Sequence, residues 1–186
     1  MALTDWYRIF AWLALATEIA VVGIWLARLA GLSAAGTETW ERIRAGFRTQ
    51  GLAVTALVAT VATTGSLYLS EGAHLIPCRL CWYQRTMMYP LAVLLIIAAV
   101  RKDWAIRPYA ITLSLMGAAI STWHVMVEWN PNLEGTLSCD PNNPCSALPV
   151  PRYFHYLSIP TMAGSAFLFI ATVLWLAGKP TAEEMS

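Results

Sequence analysis

Hydrophobic positions in this chain gather into five long blocks separated by short polar stretches. Ile9 to Leu32 is the first, apolar apart from Glu18 and Arg28. Gly51 to Leu69 carries no charge, and Trp82 to Val100 carries only Arg85, close to its start. Pro108 to Val127 contains His124, and Leu157 to Gly178 opens with Pro160 where a helix's first turn tolerates proline. An α-helix needs about 20 mostly apolar residues to cross roughly 30 Å of hydrocarbon. Each block meets that length, and the alternation of a membrane β-barrel strand is absent. The pattern therefore predicts an all-α membrane bundle of five spans, since lipid leaves no water to satisfy any open backbone.

The polar stretches are short. Ser33 to Gln50 holds Glu38, Glu41, Arg42, Arg44 and Arg48 and is expected to be a polar linker. Ser70 to Cys81 is a tight link, Arg101 to Arg107 a basic turn, and Glu128 to Tyr156 the longest loop, rich in Pro and Asn. The organisation expected is an added N-terminal helix with its basic linker (1–50), a four-helix membrane domain with two cysteine loops (51–178), and a short tail (179–186). No repeat or low-complexity tract interrupts it. Composition agrees: 58% of the 186 residues are apolar and 12% charged, against about 45–50% and 25% in soluble domains. The net charge of +1 lacks the dense basic face that a nucleic-acid binder needs.

Orientation follows from parity and then from charge. Between Cys81 and Glu128 the chain crosses twice, so both cysteine-bearing links lie on one side. Arg28, Arg42, Arg44, Arg48, Arg101, Lys102, Arg107 and Lys179, eight of the twelve basic residues, fall on the other. Basic residues favour the cytoplasm, so the cysteines are expected to face the periplasm or cell exterior of a bacterial inner membrane, where disulfides persist. The first block exceeds the 7–15 residues of a signal-peptide core and is expected to be a retained helix with its N-terminus outside.

The chain has four cysteines, in two close pairs. Cys78-Arg79-Leu80-Cys81 lies where a loop runs into a helix. Backbone N–H groups and the positive dipole end there favour thiolate, with Arg79 and Arg85 adding positive charge, and Cys81 is the expected thiolate. Cys139 and Cys145 bracket Asp-Pro-Asn-Asn-Pro, a turn-forming stretch. Four cysteines allow three pairings; the local one, 78–81 with 139–145, is the simplest. Two such pairs on one face can exchange electrons by thiolate attack through a mixed disulfide. Two rivals stand beside that reading. A scaffold with inert disulfides is one, although a ring across two residues removes little chain entropy. A metal site is the other, although the second pair's five-residue gap exceeds the usual zinc spacing, and no haem or metal ligand set is expected.

The run Pro77-Cys78-Arg79-Leu80-Cys81-Trp82-Tyr83-Gln84-Arg85 resembles the thiol–quinone oxidoreductases of the disulfide-bond formation protein B (DsbB) family, nearest its short-loop BdbC-type branch. The order, C-x-x-C first and loop pair second, is similar too, and the resemblance covers about residues 51–178. It implies a four-helix core, a DsbA-like thioredoxin-fold oxidase as partner, and a membrane quinone, ubiquinone or menaquinone, as cofactor. By position it implies Cys139 as the cysteine attacked by the partner, Cys145 as its mate, Cys78 as the member exchanging with the loop pair, and Cys81 as the member beside the quinone. Arg85, one turn below Cys81 on the same face, matches an arginine that helps hold the quinone; in lipid an arginine is costly without a task. Helix 1–50 and the short cysteine loop depart from the family pattern.

Other residues carry weaker expectations. His124, a turn inside the fourth span on the cysteine side, is expected either at the quinone or bonded to the backbone of a neighbouring helix. His74 and His155 are expected in loops, and Glu18 in an interhelical bond. Trp82, Trp123 and Trp129 fit an aromatic belt at the lipid interface. Glu128, Glu134 and Asp140 are expected as solvated loop charges.

Overall fold

The computed structural model describes residues 3–32, 36–137, 139–140, 142–148 and 150–178. It contains five long helices: α1 (Leu3–Ala30), α2 (Thr37–Leu67), α3 (Arg79–Arg101), α4 (Arg107–Trp129) and α5 (Ile159–Ala177). All five are long and apolar enough to cross a membrane. Among the described residues there is no strand, only two isolated bridges, Asp140 with Asn143 and Tyr153 with Leu157. The chain is an all-α membrane bundle, as the apolar blocks predict. The tail 179–186, with Lys179, and the linker's first residues lie outside the described residues.

The expected polar linker is largely helix. α2 begins at Thr37, and its charged first turns stay exposed, supported by Glu38–Arg42 at i,i+4 (2.6 Å) and Glu41–Arg44 at i,i+3 (3.8 Å). The stretch has no proline and a narrow apolar face, Trp40, Ile43 and Phe47 at i, i+3 and i+7 with Trp40 buried, so the helix continues outward past the apolar block that begins at Gly51.

α5 is the central element, packed against α1, α2 and α4. The core between α2, α3, α4 and α5 holds Leu52, Ala59, Leu91, Leu95, Phe167, Ile170 and Leu174. α4 and α5 approach closely at Gly117, where a Cβ would lie 2.3 Å from the Phe167 ring, so only glycine fits. α1 lies at the periphery. It buries a single stripe, Tyr7, Ala11 and Ala14, at i, i+4 and i+7. Glu18 continues that stripe, accepting hydrogen bonds from Ser165 Oγ (2.7 Å) and the Tyr156 hydroxyl. The expected interhelical bond of Glu18 is thus formed, and it clips α1 to α5. The phenol of Tyr156 is pushed up to about 12 by donating to that carboxylate.

The two ends of the bundle differ in charge. Arg48 donates to the Ala177 carbonyl, and Arg107 donates to those of Leu174 and Trp175. These guanidiniums satisfy the last carbonyls of α5 and meet the negative end of its dipole. Of the basic residues read as one cluster, Arg48 and Arg107 meet at this end of α5, while both cysteine pairs lie at the other end, by the start of α3 and in the loop after α4.

Candidate functional site

The first cysteine pair is built by the start of α3. Cys78 is the N-cap, in extended conformation, and its sulfur accepts the Cys81 backbone N–H at 3.3 Å. This places the two sulfurs 2.9 Å apart as free thiols. The sequence assigns the thiolate to Cys81, but the helix starts at Arg79, so the backbone donor of the first turn points at Cys78 instead. Cys78, just ahead of the span, has its thiol lowered to about 5, chiefly by the hydrogen bond from the Cys81 thiol and then by the His124 ring, against the opposing effect of burial.

The second pair is a closed disulfide, Cys139–Cys145, with Cα atoms 6.0 Å apart. Of the expected local pairings this one is formed, while Cys78 and Cys81 stand open. The loop is pinned by Glu134, whose carboxylate accepts from the Ser146 N–H (2.8 Å) and hydroxyl (3.1 Å). Asp140 closes an Asx turn on the Asn142 N–H at 2.9 Å. Asp140 is an exposed loop charge, as expected, whereas Glu134 is half-buried in its bonds to Ser146.

The pairs meet through two contacts. Asn143 Nδ2 donates to the Pro77 carbonyl at 3.2 Å. His124 Nε2 lies 3.0 Å from the Cys145 carbonyl and 3.6 Å from Cys78 Sγ. Cys78, Cys145, Leu80 and Val127 share one buried cluster. His124 thus stands between the pairs, and it is not part of the large cavity wall where a quinone contact was expected. The backbone it bonds is the Cys145 carbonyl of the cysteine loop rather than that of a neighbouring helix. Glu128, one turn further along α4, is buried rather than solvated, because α4 runs on to Trp129 and carries it inward on the His124 face. Its Oε2 is 3.9 Å from Arg152 Nη2.

A cavity of about 480 Å³ opens beside Cys81 between α1, α2, α3 and α5. Its wall is mostly aliphatic and aromatic, with a polar end made by Cys81, Gln84, Arg85, Ser66 and Tyr89. Arg85 is fixed there by two bonds to Ser66, from Nε to the hydroxyl and from Nη2 to the carbonyl, both 3.0 Å. Tyr89 donates to the same hydroxyl at 3.3 Å. Cys81 and Arg85 therefore share a face and a cavity, as their spacing suggests. An aromatic carbonyl headgroup with a long apolar tail fits this wall: guanidinium and thiol at one end, hydrocarbon along the rest. Trp82 is exposed beneath Arg85 (5.2 Å), Trp129 is exposed beneath Arg152 (4.4 Å), and Trp123 packs on the cysteine cluster. None of the three lines the cavity. His74 and His155 are exposed in the loops, as expected.

Sequence reasoning missed Ser66, the anchor of Arg85, and Tyr7, which lines the cavity from α1. Serine in a span is too common to single out. Tyr7 precedes the first apolar block, and only the start of α1 at Leu3 brings it into the bundle.

Comparison with known proteins gives a consistent result. The family model described as "Disulfide bond formation protein DsbB" matches residues 48–177. "Disulfide bond formation protein C" of Bacillus subtilis (strain 168) is 38% identical over 120 residues, covering 64% of this chain and 86% of that protein. "Probable disulfide formation protein" of Oceanobacillus iheyensis is 40% identical over 113 residues, covering 60% of this chain and 77% of its own. A protein of the same name from Coxiella burnetii is 36% identical over 122 residues, covering 65% and 82%. No solved structure gives a significant match. The matched segment begins within α2 and leaves α1 outside it. A multi-pass membrane chain with a C-x-x-C thiol pair at a helix start and a loop disulfide against it, this protein belongs to the DsbB family of disulfide-generating membrane oxidoreductases, on its BdbC-type side.

Proposed function

We propose that the chain reoxidises a DsbA-like thioredoxin-fold dithiol partner outside the cytoplasm and delivers two electrons to a membrane quinone, ubiquinone or menaquinone. The observation that carries this reading is the shared wall of Cys81 and Arg85 in one largely apolar cavity. The partner's dithiol reduces Cys139–Cys145, Cys139 being the sulfur attacked and Cys145 the one released. The loop dithiol then reduces a Cys78–Cys81 disulfide by exchange, which needs the two pairs in contact. The open first pair and closed second pair correspond to the state just after that exchange. A bound quinone supplies an acceptor of two electrons and two protons. Arg85, held by Ser66, orients its headgroup, Cys81 faces it, and the apolar wall excludes water. In this reading the cysteine end lies in the periplasm or cell exterior, residues 51–178 are the catalytic domain, and 1–50 are an addition to it.

Purified protein given reduced partner and a soluble quinone tests the reading. Cys81→Ser and Cys139→Ser should each abolish quinone reduction, and Cys145→Ser should strand a mixed disulfide with the partner at Cys139. Unchanged turnover in the first two variants overturns it. The scaffold reading predicts instead that thiol trapping finds both pairs closed whether or not quinone is present. The metal reading predicts stoichiometric metal on elemental analysis, at Cys78, Cys81 and His124, whose ligand atoms lie within 4.8 Å of one another.

A further inference from the structure

Cys81 borders the large cavity, but Cys78 does not. Cys78 opens instead onto a second, smaller pocket of about 80 Å³ on the other side of the thiol pair, with Tyr7, Cys81, His124 and Glu128 also in its wall. Cys81 thus borders both spaces and Cys78 only the smaller one, whose mostly apolar wall carries the polar side chains Tyr7, His124, Glu128, Asn143 and Ser158.

Three side chains in the small pocket's wall hold a buried polar atom without a hydrogen-bond partner: Tyr7 Oη, His124 Nδ1 and Glu128 Oε2. All three residues are more than nine-tenths buried, at 1%, 2% and 8% exposure. Buried polar groups are normally satisfied, so three such groups around one pocket, against two thiols, mark a site that handles a polar species. The space is ample for water, which needs about 10–15 Å³ on this measure.

The histidine's tautomer follows from its contacts. A carbonyl only accepts, so the Cys145 carbonyl at 3.0 Å places the hydrogen on Nε2. The lone pair is then on Nδ1, and His124 gains a proton only at that atom. The Nε2–H also faces the Cys78 sulfur at 3.6 Å, so a charged imidazole remains beside a Cys78 thiolate. The other ionisable groups around the pocket are few. Arg152 lies 3.9 Å from Glu128 Oε2, but its Nη2 donates to the Glu128 carbonyl at 3.2 Å. Tyr153 stacks on Tyr7, and Arg85, beyond Cys81, is turned to Ser66.

We propose that Tyr7, His124 and Glu128 form a hydrated proton-holding site for Cys78, and that Tyr7 is its outlet toward the large cavity. Tyr7 and Cys81 line both spaces. Starting from the Cys78 thiolate, closing the first pair breaks one S–H bond, at Cys81, forms one S–S bond and releases two electrons and one proton; the second proton is the one Cys78 gave up on ionising. The Cys81 proton leaves directly into the large cavity. The proton that Cys78 gave up is held at His124 Nδ1 and Glu128 around the small pocket, and reaches the large cavity past the Tyr7 hydroxyl as the pair closes. Electrons and both protons end on the same two-electron, two-proton acceptor, so this inference rests on the quinone reading. His124 touches the reacting sulfur and is the catalytic residue; Glu128 and Tyr7 act through it and are positioning residues. Tyr7 comes from α1, which gives that helix a chemical task although it lies outside the family-matched segment.

The test uses full-length protein in detergent, with a readout that needs no quinone. Infrared difference spectra between the dithiol and disulfide states of the first pair should contain a carboxyl C=O band that disappears in Glu128→Gln. In single turnovers with a soluble quinone, Glu128→Gln and Tyr7→Phe should slow thiol oxidation by about a hundredfold, the low end of what a placed proton carrier contributes. Glu128→Asp should recover most of the rate, and the slow variants should show a pH–rate profile altered from that of the parent protein. A spectrum without a carboxyl change, or both variants at the parent rate and pH profile, overturns the inference. Parent protein that fails to reduce quinone overturns the functional reading instead, and the infrared band then judges the proton site alone.

Discussion

The two cysteine pairs touch, yet they are held by different kinds of structure. The C-x-x-C pair sits on a rigid helix start, where a backbone N–H, a histidine and a second thiol all converge on one sulfur. The loop pair sits on a turn stitched by Asp140 and Glu134, with Cys139 half-buried and Cys145 at 1% exposure. One arrangement stabilises a thiolate and the other presents a disulfide. Exposure does not separate them, since each pair has one buried and one half-buried cysteine. What separates them is that a helix start supplies fixed donors to a sulfur, which the loop does not.

The largest expected contrast is in ionisation. Cys78 is lowered from an ordinary thiol value of 9.0 to about 5, which makes it about a hundredfold more ionised at pH 7 than an unperturbed thiol. With the first pair reduced, ultraviolet thiolate absorbance should rise with an inflection near pH 5 and lose that step in Cys78→Ser. The disulfide of the loop pair contributes nothing to this titration. Because the folded value lies below the unfolded one, the linked stability is fully present above about pH 9. It declines as pH falls and is gone below about pH 5. The unfolding midpoint of the reduced protein should therefore drop more between pH 9 and pH 5 than that of the protein with both pairs closed. Equal drops would remove the contrast.

This thiolate also marks the limit of what the sequence discloses. Five apolar blocks, the shared side of the cysteines and the Cys81–Arg85 face are all legible, because each follows from helix length, parity or the 3.6-residue turn. The choice between Cys78 and Cys81 is not, since it depends on a single residue in the position of the N-cap. Glu128 turns inward for a similar reason: α4 extends past the last apolar residue. Tyr7 and Ser66 are silent in sequence because their roles exist only where α1 and α2 meet the cavity. The polar first turns of α2 read as linker because charges outnumber their narrow apolar face of Trp40, Ile43 and Phe47.

A smaller contrast concerns Arg85, which serves the first pair's cavity and has no contact with the loop pair. Replacing it with alanine removes a charged donor set worth about 1.5–3 kcal/mol. The KM for quinone should rise about tenfold to a hundredfold, while capture of the partner at Cys139 in Cys145→Ser keeps its rate. Arg85→Lys should recover only part of the loss, because a lysine cannot satisfy both oxygens of Ser66 with the same planar fork. A fall in partner capture in Arg85→Ala would mean that the pairs are not separable in the way their surroundings indicate.

The smallest effect belongs to the strap between the pairs. Asn143 Nδ2 donates to the Pro77 carbonyl at 3.2 Å, one residue ahead of Cys78 and two ahead of Cys145. That hydrogen bond is partly buried, so its loss in Asn143→Ala costs about 0.5–1.5 kcal/mol. If all of that loss falls on the approach of the two pairs, internal exchange slows by about two- to tenfold. Rapid-quench thiol trapping after a single pulse of reduced partner measures the step, with electrons followed from Cys139–Cys145 to Cys78–Cys81. Formation of the mixed disulfide at Cys139 should not change, because the turn that presents it is closed by Asp140 and Glu134 rather than by Asn143's side chain. His124 remains as the second bridge between the pairs, which is why the effect stays small. A larger loss would make Asn143, and not His124, the contact on which the alignment of the two pairs depends.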